Sequence, residues 1–196
     1  MTQVNHLEQE SAKSKTTALV QSALLVAFLA LSAQISLQLG PIPFTLQTAV
    51  VALTALLMKP RQAAFIMAIY LLIGAIGLPV FSGGKSGLAG LMGPSGGFLW
   101  GFVIACALGS FVRVHIQKPE GQSLLRELIG DICCVLIVMA VSYVCGLIQL
   151  MFVAHLDLMA AFLAAVAPFV VFDIAKCALA IVVALAIRKA LGGLES

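Results

Sequence analysis

The chain is 196 residues long; 62% of its residues are hydrophobic and only 10% are charged, and its mean hydropathy is +1.13. Soluble domains are about 45–50% apolar and about 25% charged, so a soluble fold of this length could not bury so much apolar surface. The formal charge of +3 is too small to indicate a nucleic-acid partner. The composition predicts an integral membrane protein with an all-α fold and one domain.

The polar residues 1–15 precede the first apolar run, and we expect them to form a cytoplasmic tail that is retained. Six apolar runs predict six transmembrane helices in one domain over residues 16–190, followed by a C-terminal tail at 191–196. The predicted spans are 16–39, 45–58, 62–78, 96–114, 127–153 and 158–190. The second is short for a hydrocarbon core about 30 Å thick. It indicates either extra flanking helical residues or a broken helix that lines a cavity.

The last predicted span is long, and Pro168 lies inside it. Proline cannot donate a backbone hydrogen bond and clashes with the preceding helical turn. We therefore expect a short helix before Pro168 and a full transmembrane helix after it.

The basic residues set the expected orientation. Only Lys85 falls in an outer loop, and Lys176 falls inside a span. The other nine of the eleven Lys and Arg lie in segments that are cytoplasmic if the N-terminus is inside: Lys13, Lys15, Lys59, Arg61, Arg113, Lys118, Arg126, Arg188 and Lys189. The positive-inside rule therefore predicts that both termini are cytoplasmic.

One outer segment, residues 77–97, is called the glycine loop here because it holds eight glycines and two prolines. It is nevertheless mostly apolar, whereas a flexible solvated linker carries more polar residues. Glycines among apolar residues are typical of a loop packed over a cavity, where backbone approaches closely. The alternative is a plain connector.

Ala23 and Ala27 lie four residues apart in the first span, with Ser22 and Ala30 nearby. Such a face of small residues lets another helix approach closely, either within the molecule or from a partner protein. The five cysteines all fall in apolar runs without CxxC or Cys/His spacing, which predicts buried small side chains rather than disulfides or metal ligands. No metal or cofactor is expected.

Asp173 and Lys176 stand three residues apart in the last apolar run, and so share one face of a helix. A charged side chain at the bilayer centre costs about 2.5–3.5 kcal/mol on insertion scales. Replacing both members of a buried ion pair by apolar residues usually costs nothing. The pair therefore indicates a ligand site, the alternatives being a structural pair or a Lys176 side chain that reaches outward to the interface.

Two short motifs indicate chemistry that we exclude or disfavour. Gly84-Lys85-Ser86 matches the second half of a phosphate-binding P-loop, but Pro79 stands where the first glycine is required and no strand precedes it. Residues 93–96 read GPSG, the GxSG pattern of rhomboid intramembrane proteases. A Ser95 nucleophile would need a histidine base, and none of the three histidines has a suitable context: His6, His115 and His155. We expect Ser95 to cap the next helix instead.

Four segments in order resemble the BioY family, the biotin-specific S components of energy-coupling factor (ECF) transporters: PIPFTLQT (41–48), LIGAIGLPVFSGG (72–84), GPSGGF (93–98) and DIAK (173–176). The resemblance implies a six-helix S component in the bacterial cytoplasmic membrane, without enzymatic activity, that captures biotin from outside. It further implies delivery of biotin with a transmembrane coupling protein and two ABC-type ATPases. Closure of the glycine loop over biotin would be the gating step.

The resemblance also implies site residues. Asp173 would accept from the ureido N–H groups of biotin, and Lys176 would donate to the ureido carbonyl. In the relatives an amide follows the paired glycines; Lys85 stands there in this chain and is expected to meet the biotin carboxylate. The other candidate ligand-binding residues are Gln47, Phe81, Gly84, Ser95 and Phe98, with Phe44 and Trp100 as further covers for the bicycle.

The Ala23/Ala27 face resembles the alanine motif by which S components dock on the coupling protein. Two alternative functions stay open at this point. One is an S component for another vitamin, and the other is an intramembrane serine protease that uses Ser95.

Overall fold

The computed structural model describes residues 2–38, 42–117 and 124–192, and of residues 2–15, 191 and 192 it describes the backbone alone. The elements in chain order are α1 (Thr2–Gln34), β1 (Ser36–Gln38), β2 (Pro43–Thr45), α2 (Gln47–Leu57), α3 (Pro60–Ala75), α4 (Gly87–Met92), α5 (Gly96–Ile116), α6 (Leu124–Ala154), α7 (Leu158–Ala165) and α8 (Val170–Gly192). A 3-10 turn at Ser82–Gly84 lies in the glycine loop.

Four helical segments in the described residues are long and apolar enough to cross a membrane: Thr16–Gln34, Gly96–Ile116, Leu124–Ala154 and Val170–Ala190. The predicted second and third spans correspond to α2 and α3, which have only 11 and 16 residues. The predicted break in the last span is confirmed, because α7 ends at Ala165 and α8 begins at Val170, on either side of Pro168.

The first helix differs from its prediction at both ends. It begins at Thr2, so residues 2–15 of the predicted tail continue the helix, since Leu, Glu, Gln, Ala and Lys are good helix formers. Residue 1 and residues 193–196 of the predicted tails lie outside the described residues. The helix ends at Gln34 rather than at residue 39, because the chain turns there into a strand.

A short antiparallel ribbon departs from the all-α prediction. Ser36 pairs with Thr45, Leu37 with Phe44 and Gln38 with Pro43 in the two strands. The ribbon is formed by the first outer loop. Each strand has only three residues, which is too short for an alternating pattern to be recognised in the sequence. It carries the chain back from the end of α1 to the start of α2 and fixes the backbone of Thr45 beside the binding cavity described below.

Helix α2 lies at the centre of the fold and contacts α1, α5, α6 and α8. Val51, Ala52, Ala55 and Leu56 are fully buried, because the helix is apolar on all sides. It ends just before Pro60, which occupies the first turn of α3, where a missing N–H is tolerated.

Glycines bring α5 and α6 into close contact. A Cβ atom at Gly101 would lie 3.0 Å from Cys145 Cβ and 3.2 Å from Ser142 Cα, and one at Gly97 would lie 2.7 Å from Gln149 Cβ. Any larger residue would push the helices apart, so the glycines on this face of α5 set the position of this part of α6.

The helix ends farthest from the cavity meet in a buried ionic cluster. Asp131, which is fully buried, accepts from Arg113 Nε at 2.9 Å, from Gln117 Nε2 at 3.0 Å and from the Arg188 guanidinium. Arg188 also donates to the Leu56 carbonyl at 3.2 Å. The cluster joins the ends of α2, α5, α6 and α8, so two arginines counted above only as cytoplasmic charges also hold the helices together.

All five cysteines are free, and Cys106, Cys134 and Cys177 are part of the apolar core. This is the environment expected for cysteines that act as small apolar side chains. Within the described ranges, no three His, Cys, Asp or Glu side chains lie close enough together to hold a metal ion.

Candidate ligand-binding site

A pocket with about 780 Å³ of space, which includes open solvent at its mouth, lies at the end of the bundle where α2 and α8 begin. The walls are mainly apolar and aromatic, and a limited set of polar residues lines them: Thr45, Gln47, Thr48, Ser82, Lys85, Ser95, Ser142, Tyr143, Asp173 and Lys176.

The Asp173–Lys176 ion pair lies on this cavity, in the first two turns of α8. Lys176 Nζ donates to Asp173 Oδ1 at 2.8 Å, and the residues are only 8% and 5% exposed respectively. The break at Pro168 starts α8 at the level of the cavity, which puts the carboxylate near the positive end of the helix dipole. The predicted pairing of the two side chains is confirmed.

Three residues from two other elements, α6 and β2, hold the pair in place. Tyr143 Oη on α6 donates to Asp173 Oδ2 at 2.6 Å. Lys176 Nζ also donates to the Thr45 carbonyl of β2 at 2.6 Å and lies 3.8 Å from the centre of the Phe44 ring. That last contact is a cation–π interaction, which is strengthened by desolvation. The ammonium group is thus directed at three protein groups.

Aromatic side chains form the apolar walls. The Phe44 ring stacks on Phe169 with ring centres 6.2 Å apart. Phe98 meets Tyr143 edge to face at 6.3 Å and packs on the bare backbone of Gly146. Phe44, Phe98 and Phe169 all line the cavity.

Phe81 is the aromatic side chain that the glycine loop contributes to the cavity. It is 2% exposed, and its ring lies against Gly74 and Gly90, where a Cβ atom would collide with it. Trp100 does not line the cavity and is 46% exposed. Its prediction as a cover was wrong, because its position on α5 turns the indole away from the cavity.

Gln47 lines the cavity at the start of α2 and is 4% exposed. Its Nε2 donates to Tyr70 Oη at 2.7 Å, and Tyr70 donates in turn to the Val80 carbonyl at 2.7 Å. The cavity wall is therefore connected to the glycine loop. Sequence reasoning missed both tyrosines, although a tyrosine within an apolar helix usually has a hydrogen-bond partner for its hydroxyl.

The glycine loop is fastened to the helices around it. Gln34 of α1 donates to the Pro79 carbonyl at 3.0 Å. Gln149 of α6 donates to the carbonyls of Leu91 and Gly93, both at 2.8 Å. The loop packs over the cavity, as its composition predicted, and does not behave as a solvated connector.

The remaining candidates of the loop differ in position. Lys85 lines the cavity edge and is exposed. Gly84 is not among the lining residues; its φ of 77° instead supplies the left-handed turn that precedes Lys85. Ser95 lines the cavity, but its side chain does not cap α5, so the predicted cap was wrong.

The described histidines do not support a protease. His115 lies at the opposite end of α5 from Ser95 and contacts the Phe111 carbonyl at 2.9 Å. His155 is exposed at the end of α6. The side chain of His6 lies outside the described residues.

Ala23 and Ala27 are exposed on the outer surface of α1. Their neighbour Ser22 is buried and donates to the Ala18 carbonyl at 2.7 Å. Of the two interpretations of the small-residue face, packing within the molecule is therefore wrong for the two alanines.

Comparison with known sequences places the chain among transporters. Residues 5–193 match the model of the BioY family. The biotin transporter BioY of Thermotoga maritima is 35% identical over 171 residues, covering 87% of this chain and 95% of that protein. The biotin transporter BioY2 of Lactococcus lactis subsp. cremoris is 34% identical over 178 residues, covering 91% and 93%.

Solved structures agree with this. The crystal structure of the S-component for biotin from an ECF-type ABC transporter superposes with a TM-score of 0.80 at 26% identity, over 90% of this chain and 93% of that one. The S component of a bacterial ECF transporter superposes with a TM-score of 0.55 at 13% identity, which is a likeness of fold alone.

Proposed function

The chain belongs to the BioY family, and we propose that it is a membrane subunit that binds biotin and takes part in its uptake. It is a membrane protein of a transporter family and not an enzyme, which removes the protease alternative. The names of the relatives favour biotin over another vitamin. We propose the cytoplasmic membrane as its location.

The observation that carries this proposal is the buried Asp173–Lys176 ion pair on a mainly apolar cavity. Biotin has a ureido group with two N–H donors and one carbonyl, on a fused ring system. In this proposal the Asp173 carboxylate accepts from an N–H group, and Lys176, which also holds that carboxylate in place, donates to the ureido carbonyl. Hydrogen bonds to ionised groups are stronger than neutral ones, and burial strengthens them further.

The aliphatic tail of biotin ends in a carboxylate, which needs a different environment. In this proposal it meets Lys85, whose charge lies at the cavity edge. Ser82 lies in the same turn and its buried hydroxyl has no hydrogen-bond partner among the described residues. Phe44, Phe81 and Phe98 surround the bicycle, and Gln47 and Ser95 complete the wall.

Delivery requires partners in this proposal. The exposed Ala23/Ala27 face is the surface that docks on an ECF transmembrane coupling protein, and two ABC-type ATPases supply the energy. A likeness to S components of ECF transporters supports this assembly. Helices α2 and α3 complete six crossings with both termini in the cytoplasm, an orientation that the distribution of Lys and Arg favours.

The test is isothermal calorimetry of biotin binding to the detergent-purified chain, comparing wild type with Asp173→Asn, Lys176→Met and the double variant. Each single change leaves a buried partner unpaired, at a cost of about 3–5 kcal/mol, so unfolding alone could abolish binding. The double change removes both charges and is expected to restore thermal stability. We expect saturable binding by wild type and none by the folded double variant.

Lys189→Gln is the matched control, because it removes a cation from an exposed position on the same helix, far from the cavity. It is expected to bind biotin as wild type does. Absence of binding to folded wild type would contradict the proposed function. Full binding by the double variant would keep the function and move the site away from the ion pair. The fluorescence of Trp100 is unsuitable as the readout, because that side chain lies outside the cavity.

A further inference from the structure

Ser142 carries a hydroxyl that no described residue satisfies. Its Oγ is buried and lacks a hydrogen-bond partner among the residues that the structure describes, and the residue is 3% exposed. It lines the cavity from α6. A buried hydroxyl without a partner destabilises the folded chain, because its hydrogen bonds to water are lost without replacement.

Ser142 differs in this respect from the other buried helix hydroxyls. Each of them donates to a backbone carbonyl: Ser22 to Ala18 at 2.7 Å, Ser32 to Leu29 at 2.9 Å, Thr54 to Val50 at 2.8 Å, and Ser110 to Met58. The bonds of Ser22, Ser32 and Thr54 run to the preceding turn of the same helix, which is a common arrangement for serine and threonine, whereas Ser110 donates to the end of α2. Within the described part of the chain, the hydroxyl of Ser142 therefore lacks the partner that the others have, on a residue that lines the cavity.

Among the described residues, no side chain near Ser142 hydrogen-bonds its hydroxyl. Helix α5 presents Gly101 to this point of α6, with a Cβ position only 3.2 Å from Ser142 Cα, and glycine brings no polar group. The next residue, Tyr143, directs its own hydroxyl to Asp173. Met139, one turn earlier on the same wall, is apolar.

We propose that Ser142 hydrogen-bonds a polar atom in the fused-ring head of the ligand and thereby contributes to specificity. This inference rests on the proposed function. The ion pair already has several partners within the protein, so a further hydrogen-bonding group would help to match the polar atoms of the head. Both Asp173 oxygens already accept a bond, and the Lys176 ammonium is directed at Thr45, Asp173 and Phe44. A hydroxyl both donates and accepts, so it complements either a ring N–H or the ring carbonyl.

The test compares Ser142→Ala with Ser32→Ala in the purified full chain. For Ser142→Ala we expect biotin affinity about tenfold weaker, the size of one hydrogen bond to a ligand. The melting temperature without ligand is expected to stay the same or rise, since an unpaired hydroxyl is removed. For Ser32→Ala, which loses a satisfied hydroxyl outside the cavity, we expect unchanged affinity and a lower melting temperature.

A double-mutant cycle with Lys85→Gln shows which end of the ligand the Ser142 hydroxyl contacts. Ser142→Ala is expected to weaken binding by the same factor in both backgrounds, because contacts to separate ends of the ligand are additive. If the effect disappears in the Lys85→Gln background, the hydroxyl belongs to the carboxylate end and the assignment to the head is wrong. Wild-type binding with an unchanged Ser142→Ala affinity overturns this inference alone, whereas absence of wild-type binding overturns the proposed function and this inference with it.

Discussion

The orientation of the Asp173 carboxylate is determined by residues from two helices. Lys176, one turn along α8, donates to Oδ1 at 2.8 Å, and Tyr143 of α6 donates to Oδ2 at 2.6 Å. With both oxygens held, the carboxylate keeps one orientation before a ligand arrives. A preorganised acceptor loses less conformational freedom on binding, which raises affinity.

Tyr143→Phe tests this positioning role. The variant keeps the ring and its edge-to-face contact with Phe98, and removes only the hydroxyl that donates to Asp173. Hydrogen bonds to charged groups contribute about 1.5–3 kcal/mol, and we expect a loss of about tenfold in biotin affinity in calorimetry. An affinity equal to that of wild type would show that Lys176 alone is sufficient to orient the carboxylate.

For individual residues, the sequence predicts a contact when the two residues are close together in the chain. The Asp173–Lys176 contact follows from a spacing of three residues on one helix, which any α-helix brings together. Tyr143 lies 30 residues from Asp173, on a different helix, and its contribution depends on how α6 packs. The signal that would have identified it is the presence of a phenol within an apolar span.

Among the elements, the glycine loop lies over the cavity and is the gate that the family resemblance implies. It is held at its first residues by Tyr70 through the Val80 carbonyl, and at its last residues by Gln149 through the Leu91 and Gly93 carbonyls. Between these points lie the turn at Ser82–Gly84 and the residues next to it. If the loop gates the cavity, as predicted, we expect the movement to fall on this segment.

Gln149→Met tests the fastening of the loop. Methionine fills a similar volume without donating to the two carbonyls, and two neutral hydrogen bonds of about 1 kcal/mol each are lost. We expect biotin to dissociate about tenfold faster, measured by displacement of labelled biotin, with a smaller change in the association rate.

Gln62→Met is the matched control for that change. Gln62 also donates twice, to the Ala18 carbonyl and to Ser22 Oγ, but it joins α3 to α1 away from the cavity. The control is expected to lower thermal stability and to leave biotin dissociation unchanged. Equal dissociation rates for the two variants would show that the contacts of Gln149 do not retain the ligand.

The limits of sequence-based prediction are clear for particular elements. The long runs gave α5, α6 and α8 close to their observed bounds, because each is a continuous apolar stretch. The ribbon of β1 and β2 was not predicted, since three residues per strand carry no readable period. The close approach of α5 to α6 was also missed, because it depends on which side of α5 the glycines occupy after folding.

For the whole molecule, polar interactions are concentrated at the two ends of the bundle. The cavity end contains the ion pair and the glycine loop, and the other end contains the ionic cluster around Asp131. Between them the interior of the described part is largely apolar, so each end holds several helices together. The Ala23/Ala27 face belongs to neither end. It lies on the outer surface of α1, so the docking proposed there can be tested by mutation separately from ligand binding.

The last prediction uses this separation. Ala23→Leu and Ala27→Leu enlarge an exposed face without touching the cavity, so biotin binding in detergent is expected to match wild type. If a partner helix packs closely on this face, the larger side chains keep it away. We expect biotin uptake by cells that also produce the coupling protein and ATPases to fall at least tenfold, with co-purification of those partners lost in parallel. Ala178→Leu, an exposed alanine on α8, is the matched control and should preserve uptake. Normal uptake by both α1 variants would place the docking surface on another helix and leave the biotin site unaffected.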